Sequence, residues 1–181
     1  MFSDPVKIIE KLPIVAGSQV ADLGAGSGAY VFPISKKLKT ESGGKVYAID
    51  VQKDVVGSLA NRIKDEKIDN VLAVWGDIEK IGGTRLADSS IDVAIIANTL
   101  FQSEDKNGLA KEANRILKSD GYLLVVDWTD SYSGMGPNTE HLFQKEQATS
   151  LFTSSGFITD RDVPAGEHHY GILFKKVEKN I

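Results

Sequence analysis

Five short runs of the chain are apolar on almost every residue: Gln19–Leu23, Lys45–Asp50, Val71–Trp75, Ile91–Ala97 and Tyr122–Trp128. A strand with one wet face alternates, whereas a run without alternation reads as a strand covered on both faces. Between these runs lie stretches of helical period, Tyr30–Lys39, Lys53–Lys64 and Asp105–Leu117. In the last of them Leu109, Ala113, Ile116 and Leu117 fall on one face, with Lys106, Lys111, Glu112 and Lys118 elsewhere. Strands alternating with helices predict βαβ units, a parallel sheet and, through right-handed crossovers, helices on both of its faces.

Two segments depart from that rhythm. Gly76–Ser90 carries Gly82 and Gly83 at its middle, which predicts only a short or irregular helix. Trp128–Asn138 is polar and holds Gly134, Gly136 and Pro137, so it reads as a long loop of the kind that often serves a function. A helix is expected over Glu140–Ser155, stopped by Gly156, and then strands over Phe157–Val163 and His169–Val177. Only Pro164–His168 separates those strands, too little chain for a helical crossover, so they form an antiparallel hairpin that closes the sheet.

Composition narrows the possibilities. At roughly 100–200 residues per domain, 181 residues read as a single domain, 1–181. The charge sum is 21 − 25 = −4, which argues against a duplex nucleic-acid partner because counterion displacement calls for a basic surface. The chain has no cysteine, so disulfides, thiolate metal sites and a cysteine nucleophile are excluded. No apolar run approaches the roughly 20 residues of a spanning helix. The opening MFSDPVKIIEKLP lacks the apolar core of a signal peptide, so the expectation is a cytoplasmic protein.

The strongest chemical signal is Val20-Ala21-Asp22-Leu23-Gly24-Ala25-Gly26-Ser27-Gly28-Ala29-Tyr30, which follows the first buried strand and opens a helix. Glycines there let a ligand approach bare backbone, and N–H groups at a helix start favour an acceptor. Two ligand classes use such a turn. Gly24, Gly26 and Ala29 satisfy the dinucleotide fingerprint G-x-G-x-x-G/A. The same turn has an acid, Asp22, two residues before Gly24, and glycines at 24, 26 and 28. An acid in that place suits a ligand carrying an ammonium and suits a pyrophosphate poorly. Asp50, at the end of the second strand, is placed to accept two ribose hydroxyls in either reading.

That arrangement, Asp22 with the alternate glycines, resembles motif I of the class I S-adenosylmethionine-dependent methyltransferases. Val74-Trp75-Gly76-Asp77-Ile78 resembles the motif whose acid accepts the adenine amine, and Ile91–Phe101 resembles motif IV, with Asn98 facing the methionine part. Leu117–Val125 resembles the motif that follows, where a helix ends and turns at a glycine into the next strand. The likeness runs through the whole chain and is greatest to the small-molecule, "type 11" group that includes ubiquinone/menaquinone-biosynthesis methyltransferases. It implies a Rossmann-like three-layer αβα sandwich, an α/β fold whose seven-stranded sheet is mostly parallel with the last strand antiparallel. It implies S-adenosylmethionine as cofactor, held by Asp22, Gly24, Ala25, Gly26, Gly28, Asp50, Val51, Gly76, Asp77, Ile78 and Asn98. The acceptor is then a small or quinone-like molecule. The rival readings are an NAD(P)-dependent oxidoreductase and a methyltransferase-like binding module without turnover.

No residue declares itself as a base. Asp127, His141, His168 and His169 are the candidates that the pattern brings near the acceptor, and Trp128–Phe143 is the stretch expected to cover it. Tyr30 reads equally as packing or as a cofactor contact. A metal is not expected, since Asn98–Gln102 offers no carboxylate and Glu104 and Asp105 come later. The lysine pairs Lys36-Lys37 and Lys175-Lys176 read as solvated surface.

Overall fold

The strands buried on both faces lie at the centre of a seven-stranded sheet. The computed structural model describes residues 3–38, 42–132 and 136–177. Its strands are β1 (Gln19–Leu23), β2 (Lys45–Asp50), β3 (Val71–Trp75), β4 (Ile91–Ala97), β5 (Leu117–Trp128), β6 (Phe157–Asp162) and β7 (His169–Lys176). Their order is β3-β2-β1-β4-β5-β7-β6. β7 pairs antiparallel with both β5 and β6, and every other pairing is parallel. The chain winds outward from β1 in one direction and then returns to place β4 on its other side. That reversal opens a crevice above the carboxyl ends of β1 and β4, where ligands of open α/β sheets bind.

Helices cover both faces. α1 (Pro5–Glu10), α2 (Val31–Leu38) and Leu59 of α3 (Lys53–Asp65) pack on the face formed by Val20, Val46, Ile95, Leu124 and Leu173. α4 (Lys106–Ile116) and α5 (Lys145–Ser154) pack on Ala21, Ile49, Ile96, Val125 and Phe174. Among the described residues no helix is long and apolar enough to cross a membrane.

Several boundaries differ from the sequence expectation for local physical reasons. α1 was not foreseen, although Asp4 caps it by accepting from the amides of Val6 and Lys7 and Pro5 sits where its missing N–H does no harm. β5 begins at Leu117 rather than Tyr122. Leu117 pairs with Ile91, a register shift follows, and Asp120 takes a left-handed φ of 63°. The expected turn is thus an irregularity inside a strand. α5 begins at Lys145 rather than Glu140, because the Phe143 carbonyl is held by the Tyr170 hydroxyl and the Gln144 amide by the Gln147 side chain. Gly76–Ser90 forms turns without a helix. Lys39, at the end of one expected helix, and 133–135, within the polar loop, lie outside the described residues.

Two lysines taken as solvated instead close helix ends, where carbonyls have no helical partner. Lys37 donates to the carbonyls of Ile9, in the last turn of α1, and of Leu12, just after it, at 2.9 and 3.3 Å. Lys176 donates to the carbonyls of Asn114 and Leu117 at the end of α4, both at 2.7 Å.

Glu112 is the larger surprise, since α4 turns it inward to full burial. Its carboxylate accepts from the Gly82 and Thr84 amides at 2.8 and 3.1 Å and from the Thr84 hydroxyl at 2.6 Å. It also accepts from two nitrogens of Arg115, each at 2.8 Å. These bonds tie the helix-free connection after β3 onto α4. Burial alone would raise the carboxyl pKa, but the bonds from Arg115, Thr84 and Gly82 outweigh it and hold the group at about 2. The folded value lies below the ordinary one, so the stabilisation is complete above pH 4.5 and is lost as pH falls toward 2. Removing one partner of a buried charge pair costs about 3 kcal/mol. Urea unfolding of Glu112→Gln at pH 7 should show a loss of that order, and the wild-type and variant curves should converge as the pH approaches 2.

Candidate functional site

The turn after β1 is fastened to the end of β2. The amides of Gly24 and Ala25 both donate to the Ile49 carbonyl at 2.9 Å, and the Gly26 amide donates to the Asp50 carboxylate at 3.0 Å. Gly24 has a φ of +86°, and a Cβ there would stand 2.7 Å from the Thr99 hydroxyl, so the turn lies directly against the end of β4. These three amides, which the sequence pattern offers to a ligand, are therefore engaged within the protein.

Above them opens a cavity of about 440 Å³. Its wall includes Asp22, Gly24, Ala25, Gly26, Asp50, Val51, Asp77, Ile78 and Asn98 of the residues named from the sequence. Gly28 and Gly76 do not line it. A Cβ on Gly28 would meet Phe32 at 2.6 Å, and one on Gly76 would meet the Gly83 carbonyl at 2.5 Å, so both serve close packing. Val55, Glu79, Thr99, Gln102 and Ser103 also line the cavity and were not foreseen. Only the position of Gln102, one helical turn after Asn98, could have suggested any of them.

The acids at the strand ends are not equivalent. Asp50 accepts from Gly26 and, at 2.9 Å, from the Gln52 amide. Asp77 accepts from the Glu79 amide at 3.0 Å and pairs with Lys80 at 3.0 Å; the Lys80 hydrogen bond is the main force holding its pKa low. Glu79 accepts from the amides of Glu104 and Asp105 at 3.2 and 2.7 Å, which fixes the stretch carrying Gln102 and Ser103. Asp22 is different. It is 2% exposed, and no described residue donates to its carboxylate. Burial, and then the charge of Asp50, push its pKa up to about 7. Burial first and then the charge of Asp22 push the neighbouring Tyr30 phenol up in turn.

Asn98 follows β4 with a left-handed φ of 54°, a conformation that asparagine adopts more readily than most residues. Its amide donates to the Val126 carbonyl at 2.8 Å, its carbonyl accepts from Gln102 at 3.2 Å, and its side-chain oxygen is buried without a partner. Asp127 stands outside the cavity. It accepts from the amides of Leu100 and Trp128, both at 2.8 Å, and so staples the turn after Asn98. Burial raises its pKa to about 6 against those bonds. Of the histidines, His141 is exposed on a short 3-10 turn, and His168 pairs with Asp130 at 2.8 Å and stacks on Tyr132. His169 is buried against Trp128.

A family model described as a methyltransferase domain matches residues 14–167. An arsenite methyltransferase from Aquipseudomonas alcaligenes is 31% identical over 119 residues, covering 63% of this chain and 34% of the relative. The ubiquinone/menaquinone biosynthesis C-methyltransferase UbiE of Hahella chejuensis is 29% identical over 124 residues, covering 67% of this chain and 47% of its own length. The chain thus spans between a third and a half of these curated relatives. Among solved structures, a SAM-dependent methyltransferase from Aquifex aeolicus superposes with a TM-score of 0.87 at 27% identity, covering 97% of this chain and 91% of that one.

The Asp22 carboxyl has a direct thermodynamic signature. Its folded pKa lies above the unfolded value of 3.8, so its contribution favours the fold below that pH and is lost as pH rises to about 7. Asp22→Asn, which carries no charge, should therefore be the more stable protein at pH 8, by roughly 4 kcal/mol. The difference between variant and wild type should grow between pH 4 and pH 7 and level off above it, as read from urea midpoints across that range.

Proposed function

Because the chain belongs to the methyltransferase domain family, we propose that it transfers the methyl group of S-adenosylmethionine to a small-molecule acceptor. The observation that carries this reading is the Asp22 carboxylate, buried on the cavity wall and lacking a donor. Such a group asks for a cation, and an amino-acid ammonium satisfies it. A pyrophosphate would meet this charge and would find the amides of Gly24, Ala25 and Gly26 already engaged. That disfavours the dinucleotide alternative.

In this reading Asp22 holds the ammonium, while Gly24, Ala25 and Gly26 let the methionine part approach the turn closely. Asp50 accepts the ribose hydroxyls with lone pairs that Gly26 and Gln52 leave free, and Val51 covers the sugar. Asp77 takes the adenine amine, with Ile78 against the base. Asn98 supplies a buried oxygen for the methionine end. Bound there, the cofactor supplies a methyl group on an already activated sulfonium. The chain's own contribution is positioning and exclusion of water. In this reading the described residues of that stretch, 128–132 and 136–143, cover the acceptor.

The acceptor class follows from the relatives and the charge. Both curated relatives are named for methylation of small molecules, and the net charge of −4 disfavours a nucleic acid. Arsenite handled by protein thiolates does not carry over, because these 181 residues contain no cysteine. A cytoplasmic location belongs to the same reading. A binding module without turnover differs only in failing to methylate.

Calorimetry at pH 7 should show binding of S-adenosylmethionine and S-adenosylhomocysteine. Repeated in buffers of different ionisation enthalpy, it should show proton release, since the ammonium lowers the raised pKa of Asp22. Asp50→Ala should weaken both ligands by about tenfold or more, through loss of two hydrogen bonds. Tight binding of NADH, with no heat from S-adenosylmethionine, would contradict the assignment.

A further inference from the structure

His169 carries a feature that its packing does not explain. Its imidazole is buried, at 6% exposure, and neither ring nitrogen has a hydrogen-bond partner. Burying both nitrogens unpaired is unfavourable, and groups left so in native folds commonly mark a function. The ring is also fixed. It packs on Trp128 with centroids 4.1 Å apart, and Trp128 is itself pinned, since a Cβ on Gly136 would stand 2.8 Å from its indole.

The register shows where the imidazole stands. Side chains alternate along a strand, and Val126 and Leu173 belong to the core on the α1 and α2 face. Trp128 lies two residues beyond Val126, and His169 lies two residues beyond Gly171 and four from Leu173. Both therefore project on that face, and they pair directly across β5 and β7. Asp22, two residues beyond Val20, shares the same face, and Tyr30 belongs to its core. Ala97 lines the cofactor cavity and pairs with Val126. Asp22, Ala97, Val126, Trp128 and His169 thus share one face of the sheet, with Asp22 and Ala97 on the cavity wall and Trp128 and His169 beyond it.

We propose that His169 is an acceptor-binding residue, taking a hydrogen bond from the hydroxyl of an uncharged, largely apolar molecule seated over the ends of β4, β5 and β7. Three observations choose that class. Burial, and then the nearby charge of His168, lower the pKa of His169, with Asp130 opposing, so the ring is neutral and offers one acceptor and one donor nitrogen. The ring packs on the Trp128 indole, and the same face of the sheet continues into Val126 and Leu173. Asp130, whose charge reaches the ring together with that of His168, is a carboxylate and offers nothing to an anion. The inference rests on the methyltransferase reading and adds to it the chemistry of the second substrate.

The test uses the whole chain saturated with S-adenosylhomocysteine and two probes of one shape, 2-naphthol and 2-methoxynaphthalene, of which only the first donates a hydrogen bond. Calorimetry should show 2-naphthol binding about five- to tenfold more tightly, the worth of one neutral hydrogen bond. His169→Phe should erase that preference, leave S-adenosylhomocysteine affinity unchanged and raise the melting temperature by about 2–4 °C, because an unpaired polar group is gone. His169→Asn, which withdraws the ring nitrogens but stays polar, should also lower the preference and guards against a misfolded Phe variant. Absence of 2-naphthol binding, equal affinity for the ether, or a preference that survives both substitutions overturns the proposal. Failure of S-adenosylhomocysteine to bind is a different result, and it overturns the cofactor reading beneath.

Discussion

The end of β2 captures the glycine turn that leaves β1. Two amides close on the Ile49 carbonyl and a third on the Asp50 carboxylate, so the turn is held against its neighbouring strand before any ligand arrives. This capture sets the electrostatics of the crevice. With those donors engaged, nothing on the turn answers the charge of Asp22, which lies on β1 just before it, buried and facing the cavity. A turn of the same glycine spacing with its amides free would draw an anion. Here the unsatisfied group is a carboxyl, which suits a cation and not an anion.

Most other acids near the crevice hold backbone in place. Glu112 fastens the connection after β3, Glu79 fastens the start of α4, and Asp127 fastens the turn after Asn98. Each takes up amides that a helix or strand would otherwise satisfy, which is why long irregular connections can stand still at the carboxyl edge of the sheet. Asp50 does two things at once, since its carboxylate braces the turn and still faces the cavity. The crevice is thus preorganised by carboxylates that brace backbone, around Asp22, which braces none.

The layout of β1 to β5 was legible because parallel strands buried on both faces leave no polar alternation. The final hairpin was legible because the link between β6 and β7 is too short to cross over. The acids at the ends of β1, β2 and β3 stood out by their places beside glycines and at strand termini. What escaped the sequence depends on side chains meeting across long separations. The inward turn of Glu112 follows from donors on Gly82 and Thr84, some thirty positions earlier, and nothing local to α4 announces them. Thr99 and Ser103 reach the cavity wall only because the turn stapled by Asp127 brings them there. α1 is a different case, because its Asp-Pro start was present in the chain and was read as an undifferentiated lead segment.

The central claim is that Asp22 meets an ammonium, and a cycle across protein and ligand isolates that contact. Affinities of wild type and Asp22→Asn are compared for S-adenosylhomocysteine and for its analogue lacking the amino group. The account predicts that deamination weakens binding to wild type by about tenfold or more, the range of a charge-assisted hydrogen bond, and has little effect on the variant. Equal losses in the two proteins, meaning no coupling between Asp22 and the amino group, would contradict it.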